Sequence, residues 1–172
     1  MKNLEAFLHL LSSLGFLINF PKSQLTPAQS CKYLGFIFNS VAQSIAIPPG
    51  RRLALHKMIS DYSKKSRCRI KDFASMIGSL ISICPAVQYG LLYTKEFERE
   101  KFLALRESKG NYAVNMKIPA HLAEDFQWWI KILSDPNQVY FIRSNTIARE
   151  IFSDASLSGW GASCGEIHTH GW

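Results

Sequence analysis

From residue 14 to residue 38 the chain reads LGFLINFPKSQLTPAQSCKYLGFIF, and this run constrains the fold more than any other. Pro21 and Pro27 each remove a backbone donor, and Gly35 carries the entropic cost of glycine, so a continuous helix is excluded. Aromatic and β-branched residues bounded by Gly, Pro and Asn instead favour strands. The pattern predicts a small antiparallel meander. Its parts are a strand over 15–19, a polar turn carrying Lys22 and Ser23, a second turn at Thr26-Pro27, and an apolar strand over 33–38. A lysine beside such strands presents an ammonium group to a phosphate chain, and the second strand presents a backbone ridge.

On either side the periodicity changes to that of helices. Leu4, Phe7, Leu8 and Leu11 recur at helical spacing, so an amphipathic helix is predicted to end at Gly15. After a short strand at 45–47, Pro48-Pro49-Gly50 marks a change of subdomain. Leu55, Met58, Ile59 and Tyr62 then define one helix, and Ile70, Phe73, Ile77, Leu80, Ile81 and Cys84 another. A basic turn over 64–69 joins them into an antiparallel hairpin, with Gly78 placed for close helix approach. Pro85 is predicted to open a third helix running to Leu105, its charged end laced with i,i+4 pairs. Residues 108–115 read as a polar loop, and Pro119 opens a fourth helix bearing Leu122, Phe126, Trp129 and Leu133.

Charge is unevenly placed along this order. The formal net charge is +7, yet residues 1–71 hold eleven Lys or Arg against Glu5 and Asp61, whereas residues 72–172 hold nine against eleven acidic groups. Arg51, Arg52, Lys57, Lys64, Lys65, Arg67, Arg69 and Lys71 are opposed within their stretch only by Asp61. Solvated helix faces usually mix signs, so the sharper reading is a polyphosphate partner.

The tail opens a new unit. An apolar strand ends at Asp154, Ser158-Gly159 turns, residues 160–164 return, and a third strand follows over 167–172. A lone Asp before a turn is ordinarily a turn residue.

The spacing L-G-F-x-I-N-x-x-K-S-x-L-x-P-x-Q-x-x-x-Y-L-G-F resembles the end of the palm of retroelement reverse transcriptases, where a lysine-bearing motif precedes the primer grip. R-x-K-D-F-A-S-M-I-G-S-L-I-S-x-x-P-A-V-x-Y-G, with the later D-F-x-W-W, is similar to the thumb and connection of the tyrosine-recombinase retrotransposons of the DIRS group, more than to gypsy-type elements. D-A-S-x-x-G-W-G-A resembles the first hairpin of a ribonuclease H domain.

The resemblance implies an α+β chain divided as palm end (1–47), helical thumb (48–107), connection (108–146) and ribonuclease H start (147–172). It implies that Lys22 acts near the leaving pyrophosphate, as general acid or charge stabiliser, and that Tyr33, Leu34, Gly35 and Phe36 hold the primer terminus. The basic stretch from Arg51 to Lys71 would grip an RNA/DNA hybrid or DNA duplex by its backbone. Asp154 would be the first of several carboxylates holding two Mg²⁺ ions. The family's palm Asp-Asp motif and later ribonuclease H carboxylates are not in these residues, so this piece is expected to be inactive without the remaining palm, fingers and ribonuclease H segments. The rival reading is a non-catalytic nucleic-acid-binding or scaffold remnant.

Other residues have plainer readings. Cys31, Cys68, Cys84 and Cys164 show neither zinc-ligand spacing nor a disulfide framework, and read as reduced thiols. His168 and His170 point to one strand face but lack a third ligand, and Trp128-Trp129 reads as core before it reads as a base-stacking platform. With 47% apolar residues and no run long enough to span a bilayer, the chain is expected to fold as a soluble intracellular protein, cytoplasmic or nuclear, with no membrane partner.

Overall fold

The computed structural model describes residues 2–142 and 149–172. The fold is α+β, with helices and small antiparallel sheets. The chain separates into two compact units, Met1–Phe141 and Ile142–Trp172. The boundary expected between 146 and 147 lies outside the described residues.

The first unit begins with α1 (Lys2–Ser13). Gly15, at φ +82°, ends it. The Phe16 N–H donates to Leu11 O and the Gly15 N–H to Ser12 O, both at 3.0 Å. These are the paired bonds by which a left-handed glycine satisfies the last helical carbonyls. The strand expected over 15–19 does not form. That segment makes no ladder and runs into a 3-10 turn, Phe20–Lys22, whose fixed proline ring suits a helical start.

The meander is present but differently cut. β1 (Ser30–Tyr33) pairs with β2 (Phe36–Asn39), so the expected single strand over 33–38 is two strands with Leu34-Gly35 as the turn between them. β3 (Ser44–Ala46) joins β2, and β6 (Val139–Phe141) closes the order β1-β2-β3-β6. No described side chain before Ser44 is fully buried, so this sheet lies at the margin of the core.

The core is helical. α2 (Pro49–Tyr62) starts on its proline, and α3 (Ile70–Ile81) buries Phe73, Met76, Ile77 and Leu80. The basic turn expected between them contains β4 (Arg67–Arg69), which pairs with β5 (Asn115–Lys117). Gly78 is exposed, and a β-carbon there would meet nothing within 4 Å, so it is not a close-packing site. The long third helix is also broken. Cys84–Ala86 and Leu92–Thr94 form 3-10 turns, Tyr89 adopts φ +65°, and α4 runs only over Lys95–Glu107. A left-handed residue cannot propagate a right-handed helix. The surface pairs on α4 are i,i+3, Lys95–Glu98 at 3.1 Å and Arg99–Glu96 at 3.2 Å, and not the i,i+4 pairs expected. Both are largely exposed and add little stability.

α5 (Ala123–Ser134), entered through a 3-10 turn over Ala120–Leu122, completes the core. Phe97 is fully buried, with its ring 6.0 Å from Phe73 and 4.7 Å from Phe126, and so ties α3, α4 and α5 together. Trp129 is also fully buried, and its indole N–H donates to Tyr93 O at 3.0 Å. Trp128 stacks flat on Tyr93 at 3.9 Å, which leaves neither tryptophan as an open base platform. Among the described residues no helix is long and apolar enough to cross a membrane.

The second unit is a three-stranded antiparallel sheet, β7 (Phe152–Ser156), β8 (Gly159–Cys164) and β9 (Ile167–Gly171). Asp154 sits inside β7 and not at its end. None of the described residues from 149 to 172 is fully buried. A three-stranded sheet needs a hydrophobic face or a packed helix to be stable on its own. Its amides are therefore expected to exchange with deuterium much faster than those of Phe73 to Leu80. Equal protection in a hydrogen-exchange experiment would contradict this.

Candidate nucleic-acid interface

The hairpin tip follows from backbone sterics. Tyr33 pairs with Phe36, and the two residues between them, Leu34 and Gly35, both have positive φ, +47° and +82°. This is the two-residue turn whose twist matches the flanking strands, and Asn-Gly is its favoured filling. Leucine there is strained, at a cost on the order of 1 kcal/mol. Its side chain is nevertheless displayed, with Leu34 76% and Tyr33 61% exposed. Phe36, the cross-strand partner of Tyr33, packs partly against the core.

Arg51 holds this tip in place. Its Nη1 donates to Gly35 O at 3.1 Å and its Nη2 to Ser82 Oγ at 2.8 Å, while the guanidinium lies 5.6 Å from the centre of the Phe36 ring. One side chain on α2 therefore connects the hairpin turn to the end of α3. A β-carbon on Gly35 would come within 2.7 Å of that same Nη1. Glycine suits this position for its φ, and any larger residue would push the arginine tip aside.

The eight cationic residues expected to meet phosphate divide accordingly. Arg51 is committed to the hairpin. Arg52 is buried, and its Nη1 donates to Leu133 O at 3.1 Å, satisfying a carbonyl in the last turn of α5 where a cation is favoured. Arg69 makes a two-point ion pair with Asp72, at 2.9 and 3.3 Å. Lys65 places its ammonium 4.3 Å from the Tyr62 ring centre but remains exposed. Lys57, Lys64, Arg67 and Lys71 are exposed.

Pairing of β4 with β5 adds a residue that the sequence reading missed. Arg67 lies directly opposite Lys117, and Arg69 opposite Asn115, while the alternate pair Cys68 and Met116 turns towards the core. The outward face of the ribbon thus carries Arg67, Arg69 and Lys117. Like charges facing each other across a ladder are unfavourable without a counter-charge. Glu100 and Glu107 of α4 line the adjoining cleft with Arg67 and Lys117 and supply part of it. The alternation of Lys117 with buried Met116 and Ile118 was the available signal.

Lys22 is exposed on its 3-10 turn. Asp154 is exposed, and its Oδ1 accepts from the Ala155 N–H at 2.9 Å. Across the sheet it aligns with Gly161 and then His170. Among the described residues Asp154 belongs to no group of three metal-ligating side chains; the one such group is Glu96, Glu100 and His121. Asp154 by itself does not fit a two-Mg²⁺ site, which needs several converging carboxylates.

The four thiols are free and partly buried. Burial pushes the Cys84 thiol up to about 11 and raises that of Cys68, so both stay protonated near neutral pH. No protein-family model, curated protein or solved structure matches the chain.

Proposed function

We propose that this chain is the duplex-gripping part of a retroelement reverse transcriptase with ribonuclease H, the hairpin tip meeting the primer terminus and the basic surface meeting the duplex backbone. The supporting observation is the Arg51 clamp. The exposed turn and the helices flanking the cationic loop are the two parts the sequence resemblance assigns to one duplex, and a single guanidinium ties them together. A tip fixed to one end of the two helices that carry the cationic loop at their other end suits shape and backbone recognition, which carries no base readout. Lys57, Lys64, Lys65, Arg67, Lys71 and Lys117 are the phosphate contacts in this reading, with Arg51 and Arg52 positioning residues. Lys22 and Asp154 keep their proposed places near pyrophosphate and metal in the assembled enzyme, in which the other carboxylates come from segments beyond these residues.

Leu34→Asn separates fold from function. Asparagine tolerates the left-handed turn, so the variant should slow exchange of the β1–β2 amides about fivefold, the factor that ~1 kcal/mol of relieved strain gives. The same change should weaken binding to an RNA/DNA hybrid about tenfold, because a leucine covered by ligand contributes ~1.5 kcal/mol. Protection and affinity are expected to move in opposite directions. Unchanged hybrid affinity with a stabilised hairpin would remove the tip from the interface.

A further inference from the structure

We infer that Glu96, Glu100 and His121 form a binding site for a transition-metal dication of the Zn²⁺ class between α4 and the entry to α5. The three offer ligand atoms that all lie within 4.8 Å of one another. Two ligands on one Zn²⁺, at about 2.0–2.2 Å each, sit at most ~4.2 Å apart and ~3.4 Å apart in tetrahedral geometry. Side-chain tips must therefore draw together by up to about 1.4 Å, a movement that adjustment of these surface rotamers can supply, to close a tetrahedral site.

One separation already has the tetrahedral value. His121 Nε2 lies 3.5 Å from Glu100 Oε1. That is too long for a charge-assisted hydrogen bond, which closes to about 2.7–2.9 Å. The Glu100 side chain is only 15% exposed.

Placement on the elements supports the same occupant. Glu96 and Glu100 stand at i,i+4 on one face of α4. His121 and Asp125 repeat that spacing on the facing 3-10 turn and first turn of α5. Pairs of ligands on facing helices are how helical proteins build metal centres. Water supplies the fourth ligand. An imidazole with carboxylates suits Zn²⁺ over Mg²⁺. Glu96 also accepts from Arg99 at 3.2 Å, and its other oxygen remains for the metal.

The test is calorimetric titration of the full chain with Zn²⁺ alone, with thermal melting of each protein with and without metal. The parent should bind one equivalent and melt higher when loaded. His121→Ala and Glu100→Gln should each weaken binding about a hundredfold, at least what loss of an outer-sphere partner costs. Without metal His121→Ala should melt as the parent does, since His121 is half exposed. A His168→Ala/His170→Ala variant should retain the parent affinity. The inference is overturned if the parent binds no stoichiometric Zn²⁺, if His121→Ala binds like the parent, or if binding follows His168 and His170.

Discussion

Replacing Lys64, Lys65, Arg67 and Arg69 together by glutamine is expected to lower affinity for RNA/DNA hybrid by two to three orders of magnitude and to flatten its salt dependence. Arg69 is already paired with Asp72, so the other three carry most of the effect. Each phosphate neutralised contributes a slope of about −0.9 in log affinity against log salt, so three lost contacts remove ~2.7 from the slope and ~500-fold in affinity near 0.1 M salt. The loss should be the same for every sequence, because backbone contacts carry no base information. Neutralising Arg149 should do much less; Arg143, the other basic residue of that segment, lies outside the described residues. Lys117→Gln alone should remove about 0.9 of slope if the β4–β5 ribbon meets phosphate. Titrations at several salt concentrations read all of these. An unchanged slope in the quadruple variant would mean that the cationic loop is only a solvated surface.

Phe97→Ala is expected to destabilise the first unit by about 3–5 kcal/mol, the cost of emptying a fully buried aromatic site. Phe97 is 0% exposed and touches rings on two other helices, so the surrounding side chains have little freedom to collapse into the gap. Typical domains have a net stability of about 5–15 kcal/mol, so the variant loses a large share of it. Denaturant unfolding followed by helical circular dichroism measures the change. Phe97→Leu, which keeps most of the volume, should cost much less. Exchange rates of β7–β9 should not move in either variant, since that sheet belongs to the separate unit Ile142–Trp172. A loss under 1.5 kcal/mol for Phe97→Ala would show that the helices do not depend on this contact.

Much of this architecture was legible because it rests on local chemistry. The helices over Lys2–Ser13, Pro49–Tyr62, Ile70–Ile81 and Ala123–Ser134 follow from 3.6-residue apolar spacing bounded by Gly15, Pro49 and Pro119. The Ser158-Gly159 turn signal likewise marked the tail hairpin, whose turn is Leu157-Ser158. The errors came where two local signals compete. Leu34-Gly35 inside an aromatic run reads as strand, yet pairing of Tyr33 with Phe36 makes it a turn. The apolar spacing from Pro85 to Leu105 reads as one helix, yet Tyr89 takes a left-handed conformation that residue spacing does not announce.

By itself the sequence determined four of the five α-helices, where their apolar faces lie, and that positive charge gathers between residues 51 and 71, because each of these is set by residue type and spacing within one element. Only the tertiary structure decided which of those charges remain available. Arg51 and Arg52 look like Lys57 and Lys64 in a list of cations. Folding spends the first on Gly35 O and Ser82 Oγ and the second on Leu133 O, and pairing β4 with β5 brings Lys117 beside Arg67 from fifty residues away. The meeting of Glu96 and Glu100 with His121 has the same origin. A partner's identity depends on distances between elements, and these are fixed by how helices and strands pack, which no single element encodes.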